Sequence, residues 1–346
     1  MRIYLYAKYD VYNHYRLQPL YIIKKERSEN WGASRTINAL SIGKRSQFRY
    51  RTVTFALRPA AILIAKSKGE KNMRKKFFAL FFAGMLLSGN ASASEIVIDG
   101  STTILPFAQI AVERFVAAHP DTKISISGGG SGNGIKALID KTADIANASR
   151  EIKKSELEKA RANGVEPFET IVALDCIVAI VHPENPVSAL SMEQLRKIYT
   201  GEIINWKDVG GSESPIAVVG RDSSSGTYGT WQEMIVEKGD SGKKSRVVPR
   251  AQVAASSGAM LAVVAENKFA IGYDGIGYLN DSVKALDIGG IKASVATAKD
   301  KSYPLSRFLY MYTDKAPSGE VKSFVDYMLS PDGQKIVADT GFIPLD

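Results

Sequence analysis

The residues with the clearest capacity for chemistry are 221–227, which read Arg-Asp-Ser-Ser-Ser-Gly-Thr. An apolar run over 216–219 precedes them and predicts a buried strand, and apolar side chains at helical spacing follow over 228–238. A short turn between strand and helix gathers free backbone N–H groups at the positive end of the helix dipole. Hydroxyls add small donors, and Arg221 adds a planar charge that suits tetrahedral oxyanions. An ordinary helix cap also explains this segment by itself.

The chain repeats this arrangement at two other turns, 100–103 and 129–134, and each of them follows a predicted strand and precedes a predicted helix. Such turns meet at the carboxyl edge of a parallel sheet, where ligands bind. The glycine-rich turn at 129–134 has neither the Walker lysine nor the dinucleotide spacing. Arg150 follows Ser149 at the end of a further strand. It either pairs with Glu151 or nearby acids, or it brings a second guanidinium into the site.

The elements that must position these turns alternate between strand and helix over 95–164, and this order predicts a parallel sheet covered by helices. Ser155 is predicted to cap the last of these helices, which ends at Gly164, and 269–273 is predicted to be a buried strand. The apolar run at 171–181 is long enough to pass from one lobe into another, and the apolar segment at 303–312 suits the return. We therefore predict an α/β fold with two lobes and a two-strand hinge. Lobe 1 would comprise 95–176 and 303–346, and lobe 2 would comprise 177–302.

A targeting signal lies inside the chain rather than at its beginning. Met73 opens a basic stretch, the apolar run 77–87 follows, and Ala91-x-Ala93 matches the small-residue pattern of a signal-peptidase site. Eleven apolar residues are too few to span a bilayer, which takes about 20. We predict a signal peptide over 73–93, with Met73 as the true start and 1–72 as a mistakenly translated extension. The alternative is a genuine basic N-terminal domain that is followed by an internal membrane segment.

This division reverses the meaning of the net charge. The whole chain of 346 residues carries +9, but residues 1–94 hold 18 Lys and Arg against 4 Asp and Glu, which leaves −5 for the remainder. The basic balance therefore gives no argument for nucleic-acid binding. After residue 94 the chain has one cysteine, Cys176, and two histidines, His119 and His182. These are too few for a usual zinc site, and they offer little to a Ser/His/Asp triad.

Taken together, the motifs resemble those of the periplasmic phosphate-binding proteins of phosphate ABC transporters. The resemblance covers nearly all of 95–346 and none of 1–72. The segments that carry it are Ser101-Thr102-Thr103, Gly130-Ser131-Gly132, Ala143-Asp144-Ile145, Ser149-Arg150, Arg221 with Ser225-Gly226-Thr227, 198–206, 270–273 and 329–334. The resemblance implies a type II binding protein whose two lobes close on phosphate and deliver it to a membrane permease.

Carried over residue by residue, the resemblance implies a set of phosphate contacts. Together with the turn residue Ser101 and with Arg150, the predicted site residues are Ser101, Thr102, Thr103, Ser131, Ser149, Arg150, Arg221, Ser225, Gly226 and Thr227. Members of the family place an Asp, which accepts a proton-bearing phosphate oxygen and so rejects sulfate, about where Ser149 stands. A hydroxyl can donate to either anion. The missing acceptor could be Asp99, Asp222 or Asp274.

The function expected from the sequence is capture of inorganic phosphate in the periplasm by a monomer that performs no catalysis. We expect no cofactor and no metal, and the partners would be phosphate and the permease of an ABC transporter. One alternative is the same fold tuned to sulfate, molybdate or tungstate. A more distant alternative is a phosphate-ester hydrolase that uses the same turns.

Overall fold

The computed structural model describes residues 95–237 and 245–345. The proposed extension 1–72 and signal peptide 73–93 lie outside these residues. Helices within the described ranges are all too short or too polar to cross a membrane. They are α1 Leu105–Ala118, α2 Ser131–Ile139, α3 Lys154–Ala162, α4 Met192–Thr200, α5 Gly226–Trp231, α6 Ser257–Glu266, α7 Val295–Lys299, α8 Gly319–Leu329 and α9 Pro331–Asp339.

The strands form one continuous mixed sheet. They are β1 Glu95–Gly100, β2 Lys123–Ile126, β3 Ile145–Ala148, β4 Pro167–Val181, β5 Ala189–Leu190, β6 Ala217–Arg221, β7 Gln252–Ala254, β8 Ala270–Gly275, β9 Lys284–Ile288 and β10 Ser306–Asp314. The order along the sheet is β2-β1-β3-β10-β4-β8-β6-β7, while β9 pairs with both β4 and β5. Strands β1, β2 and β3 pair in parallel, as do β6, β7 and β8. Antiparallel pairing is confined to β4 and β10 and their neighbours.

Strand β4 is the longest element of the sheet and joins its two halves. Its first ten residues, from Pro167 to Cys176, pair with β10, and its last five, from Ile177 to Val181, pair with β8. The predicted crossing strand is therefore confirmed, because one end of β4 pairs in one half of the sheet and the other end pairs in the other half. The second crossing is shorter than predicted: β10 begins at Ser306, and only the connection at 303–305 lies beside the other half.

Buried side chains divide between these two halves. One cluster gathers apolar residues between 176 and 305, together with Ile343. Two others gather residues between 96 and 173 with residues of β10, α8 and α9. In the first cluster the ring of Trp231 stacks on that of Tyr273, with centroids 4.3 Å apart. The last helices return to the half that holds β1, since Phe342 packs edge-on against Phe107. The lobe limits given above stay predictions.

Two local predictions were wrong, and one predicted helix forms with a different geometry. Helix α3 begins at Lys154, so Ser155 lies within its first turn rather than capping it, and Glu156 accepts a hydrogen bond from the Lys153 amide at 2.8 Å. Phe269 precedes β8 and is 46% exposed, because the buried strand begins one residue later. The helix after residue 225 changes to π geometry over Gln232–Glu237, which helical spacing alone cannot reveal.

Candidate functional site

The turn after β1 places Ser101, Thr102 and Thr103 in a buried position at the carboxyl end of the sheet. Gly100 allows this turn to lie against β3: its φ is +138°, and a Cβ there would stand 2.1 Å from the carbonyl oxygen of Asn147. The amide of Ser101 donates to that same carbonyl at 2.8 Å. The turn is thereby held against β3.

The glycine-rich turn lies directly beside the first one. The Gly130 amide donates to the Gly100 carbonyl at 2.7 Å, and a Cβ on Gly134 would meet the Asp99 carbonyl at 2.4 Å. No side chain caps the N-terminus of α2, which begins at Ser131. The Ser131 hydroxyl accepts from the Ser149 amide at 3.0 Å and lies 3.3 Å from the Ser149 hydroxyl. Two predicted site residues, one at the start of a helix and one after a strand, are therefore neighbours.

The third turn approaches these two from the other half of the sheet. Ser225 caps α5 by accepting a hydrogen bond from the Tyr228 amide at 3.2 Å. Gly226 follows, and a Cβ there would meet the hydroxyl oxygens of Ser131 and Ser149 at 2.3 and 2.5 Å. Only a residue without a side chain can approach both serines this closely.

Hydrogen bonds join the two halves across this contact. The hydroxyls of Thr103 and Thr227 are 3.0 Å apart, and the Gly132 amide donates to the Ser224 carbonyl at 2.8 Å. Nine of the ten predicted site residues therefore converge on one buried cluster, which we call the clamp: Ser101, Thr102, Thr103, Ser131, Ser149, Arg221, Ser225, Gly226 and Thr227. Its members come from both halves of the sheet.

Arg221 supplies the positive charge of the clamp. Its guanidinium donates from Nε to the Ala254 carbonyl at 3.0 Å, from Nη1 to the Ser257 hydroxyl at 3.2 Å and from Nη2 to the Thr102 hydroxyl at 3.1 Å. Among the residues that the structure describes, no carboxylate stands within the 4.0 Å of its nitrogens that defines an ion pair. The side chain is only 4% exposed. A buried charge that forms no direct ion pair is costly, so this position is suited to an anionic ligand.

Arg150 is the predicted residue that the clamp does not include. Its two terminal nitrogens both bind the Glu156 carboxylate, each at 2.8 Å, and Nη1 also donates to the Glu151 carbonyl. The carboxylate of Glu156 has a lowered pKa: the bonds from Arg150 and from the Lys153 amide outweigh the effect of its partial burial. Of the two interpretations of Arg150, the structure agrees with the pairing to a nearby acid.

Sequence reasoning missed a second guanidinium, that of Arg307 in β10. It donates from Nη1 to the Ser149 carbonyl at 2.9 Å and from Nη2 to the Thr227 hydroxyl at 3.0 Å. Its Nε and Nη2 also bind Oδ2 of Asp175 in β4, at 2.9 and 2.7 Å. This pair therefore joins both crossing strands to both sides of the clamp. A signal was available: each residue is a charge inside an apolar crossing segment.

The structure separates the three carboxylates that could replace the missing acceptor. Asp99 accepts from the Ser127 hydroxyl and the Gly100 amide, each at 2.7 Å. Asp222 binds the amide and hydroxyl of Ser224 within its own turn. Asp274 is completely buried, and burial raises its pKa to about 6 although the Gly275 amide, Ser257 and Arg221 act in the opposite direction.

A groove of about 680 Å³ opens beside the clamp. Its walls include Arg150, Tyr228, Arg307 and Phe308, so it follows β10 on the outside of the residues that join the two halves. The clamp itself is more enclosed, since its hydroxyls and Arg221 are almost fully buried. Within the described ranges, no group of three His, Cys, Asp or Glu side chains is arranged to hold a metal ion.

A mixed sheet whose halves are joined by β4, with a buried cluster of anion-binding donors between them, is typical of a binding protein that holds its ligand between two halves. The family model of the PBP superfamily domain matches residues 88–332. The phosphate-binding protein PstS of Bacillus subtilis is 32% identical over 297 residues, which cover 85% of this chain and 94% of that one. PstS of Pseudomonas aeruginosa is 31% identical over 282 residues, covering 75% and 84%. The chain belongs to the PBP superfamily and, within it, to the PstS family of phosphate-binding proteins.

Solved structures agree. One is the crystal structure, with bound phosphate, of a Clostridium perfringens protein assigned as a phosphate ABC transporter substrate-binding protein. It is 35% identical, has a TM-score of 0.67, and the match covers 73% of this chain and 100% of that one. An ABC-type phosphate transport receptor from Vibrio cholerae is 32% identical with a TM-score of 0.59, covering 72% and 99%. The predicted family and fold class are thereby confirmed.

Proposed function

We propose that this protein captures inorganic phosphate in the clamp and delivers it to the permease of an ABC transporter. The observation that carries the proposal is Arg221, a buried guanidinium that forms no direct ion pair with any carboxylate of the described residues and is surrounded by hydroxyls from both halves of the fold. A doubly charged tetrahedral anion would supply the missing negative charge. Its oxygens would accept from the guanidinium and from several hydroxyls at once.

The arrangement of donors supports closure around the anion. Thr102, Thr103, Ser131 and Ser149 come from one half of the fold, whereas Arg221, Ser225 and Thr227 come from the other. An anion bound between them would bridge the two halves and favour the closed form over an open one. Closure would also replace the anion's water with preset donors. The closed shape is then a signal that a permease can recognise.

The names of the relatives supply the rest of the proposal. Proteins called phosphate-binding protein PstS, and a phosphate-bound substrate-binding protein of an ABC transporter, are similar to this chain over most of its described length. By this relationship we assign the protein a place outside the cytoplasmic membrane as a monomer without catalytic activity. Assays with phosphate esters test that last point, because release of phosphate would reveal a hydrolase.

The decisive experiment is calorimetric titration of the secreted protein with phosphate, sulfate and molybdate. Phosphate is expected to bind most tightly. The variant Arg221→Ala removes at least one charged hydrogen bond worth about 1.5–3 kcal/mol, so phosphate should bind at least about one to two orders of magnitude more weakly. Arg196→Ala is the matched control, because Arg196 pairs with Glu193 and Glu202 away from the clamp. Tighter binding of sulfate or molybdate than of phosphate would overturn the proposal.

A further inference from the structure

The guanidinium of Arg307 hydrogen-bonds to one clamp residue from each half of the fold. Arg307 lies in β10, which pairs with β3 and with the part of β4 from Pro167 to Cys176. Its Nη1 donates at 2.9 Å to the carbonyl of Ser149, which follows β3 in the same half. Its Nη2 donates at 3.0 Å to the hydroxyl of Thr227, which lies in α5 in the other half. The bond to Thr227 can therefore form only while the two halves meet.

Asp175 in β4 fixes the position of this guanidinium. Its Oδ2 accepts from Nε and Nη2 of Arg307 at 2.9 and 2.7 Å, and its Oδ1 accepts from the Ile276 amide at 3.0 Å. The Arg307 side chain is 6% exposed, and that of Asp175 is completely buried. Because the carboxylate balances the charge of Arg307, the guanidinium brings hydrogen bonds to the clamp without an excess positive charge. It differs in this respect from Arg221, which forms no direct ion pair in the described part of the chain.

The bond from Arg307 decides where the Thr227 hydroxyl directs its proton. A guanidinium can only donate, whereas a hydroxyl carries one proton and accepts through its oxygen. Thr227 therefore accepts from Arg307 and must point its own proton away from it. The hydroxyl of Thr103, another clamp residue, lies 3.0 Å from that of Thr227. An anion bound in the clamp would offer a charged acceptor among the same hydroxyls, so Arg307 makes Thr227 a donor toward the ligand as the halves close.

Resting on the proposed function, we infer that Arg307 is a positioning residue of the closed form, which acts on phosphate through the Thr227 hydroxyl rather than by contact with the anion. It orients that hydroxyl as a donor and joins the two halves through the same bond. In the proposed function phosphate enters while the halves are apart, and the bond must break before phosphate can leave. Loss of the bond should therefore speed dissociation and leave association unchanged.

A purely structural role for Arg307 makes a different prediction. The pair with Asp175 also joins β4 to β10, and its loss would weaken binding if it disturbed the fold. Arg307→Lys separates the two roles. Lysine keeps a positive charge for Asp175, but a single ammonium lacks the rigid fork that reaches Ser149 and Thr227 together with the carboxylate. A structural effect would appear in every background, whereas an effect through Thr227 requires the hydroxyl of Thr227.

The test measures association and dissociation of phosphate by stopped-flow tryptophan fluorescence, with calorimetry for the affinity. Arg307→Lys is made in three backgrounds: the wild type, Thr227→Val and Thr227→Ser. In the wild type it should raise the dissociation rate at least about tenfold, the factor of one hydrogen bond to a charged group, at an unchanged association rate. In Thr227→Val it should have no further effect, because the hydroxyl is already absent. In Thr227→Ser, which keeps the hydroxyl, the full effect should return.

Arg150→Lys is the matched control. It makes the same substitution at an arginine that pairs with Glu156 and lies outside the clamp. This variant should bind and release phosphate at wild-type rates. If Arg307→Lys does not fold, Asp175→Leu combined with Arg307→Met replaces it in the same three backgrounds, because this change removes the buried charge together with its partner.

A wild-type dissociation rate in Arg307→Lys overturns the inference, and so does a loss of affinity that lies entirely in the association rate. An equal acceleration of dissociation in the Thr227→Val background also overturns it, because Arg307 would then act by a route other than the Thr227 hydroxyl. Each of these results leaves the proposed function intact as long as the wild type binds phosphate. A wild type that does not bind phosphate overturns the proposed function and the inference with it.

Discussion

Gly226 offers the sharpest test of the clamp, because replacing it with alanine should affect the closed form and spare the fold. Gly226 is the first residue of α5, and its φ does not lie in the positive region. Alanine is therefore compatible with the local backbone. The added Cβ would stand 2.3 Å from the Ser131 hydroxyl, 2.5 Å from the Ser149 hydroxyl and 3.0 Å from the Ser131 Cβ.

The expected loss of phosphate affinity follows from how little Ser131 and Ser149 can move to make room for the added Cβ. Rotating the Ser131 side chain would break its bond from the Ser149 amide, and its Cβ cannot rotate away. Overpacking of this kind costs about 1–3 kcal/mol, which corresponds to phosphate binding roughly 5- to 150-fold more weakly. The free energy of unfolding should not fall, since alanine in a helix is more favourable than glycine by about 0.5–1 kcal/mol.

Calorimetric titration measures the affinity, and thermal unfolding without ligand measures the stability. Small-angle scattering with and without phosphate reports whether the two halves still close. Gly258→Ala is the matched control, because Gly258 lies in the first turn of α6 and an added Cβ would meet nothing within 4 Å. That variant should bind phosphate like the wild type.

Wild-type affinity in Gly226→Ala would refute the reasoning, since it would mean that the two turns do not meet when phosphate is bound. Weaker binding accompanied by an equal loss of stability in the ligand-free protein would also refute it, because the substitution would then destabilise the fold itself rather than the closed form. Only a loss of affinity at unchanged or increased stability supports a clamp that closes through Gly226.

Two further predictions concern the buried charges. Asp175→Asn leaves Arg307 buried without its carboxylate and should lower the free energy of unfolding by about 3–5 kcal/mol. The double variant Asp175→Leu with Arg307→Met should recover most of this stability, as measured by chemical denaturation. Its affinity for phosphate should nevertheless stay weak. Full recovery of the affinity would contradict a role for Arg307 in the site. Since the pKa of Asp274 is raised from 3.8 to about 6, the folded state binds the extra proton and stability falls as pH rises through this interval. The free energy of unfolding of Asp274→Asn should therefore exceed that of the wild type by about 3 kcal/mol at pH 8, and the two should be equal below pH 4. A variant less stable at pH 8 would contradict the buried, ionised state.

Local signals in the sequence were sufficient for the elements that carry the clamp. The glycine-rich turn before α2 and the Ser-Gly-Thr turn at α5 are short-range patterns, so their positions at strand ends were predictable. The exact first residues of the helices and strands were less predictable. Phe269 is apolar but exposed, because its position at the entry to β8 rather than its hydropathy decides its burial. Likewise Ser155 suited a cap by residue type, whereas Glu156 binds the Lys153 amide at the start of α3.

What the sequence alone determined is the set of donors: three hydroxyl-rich turns and Arg221, each recognisable within about seven residues. What only the tertiary structure decided is which charges meet them. Sequence reasoning placed Arg150 in the site and missed Arg307, whereas in the structure Arg150 binds Glu156 and Arg307 reaches Thr227. Asp99, Asp222 and Asp274 were equivalent until burial separated them. The reason is physical: hydrogen-bonding capacity belongs to the residue type, whereas the partner and the desolvation of a charge depend on segments far apart in the chain.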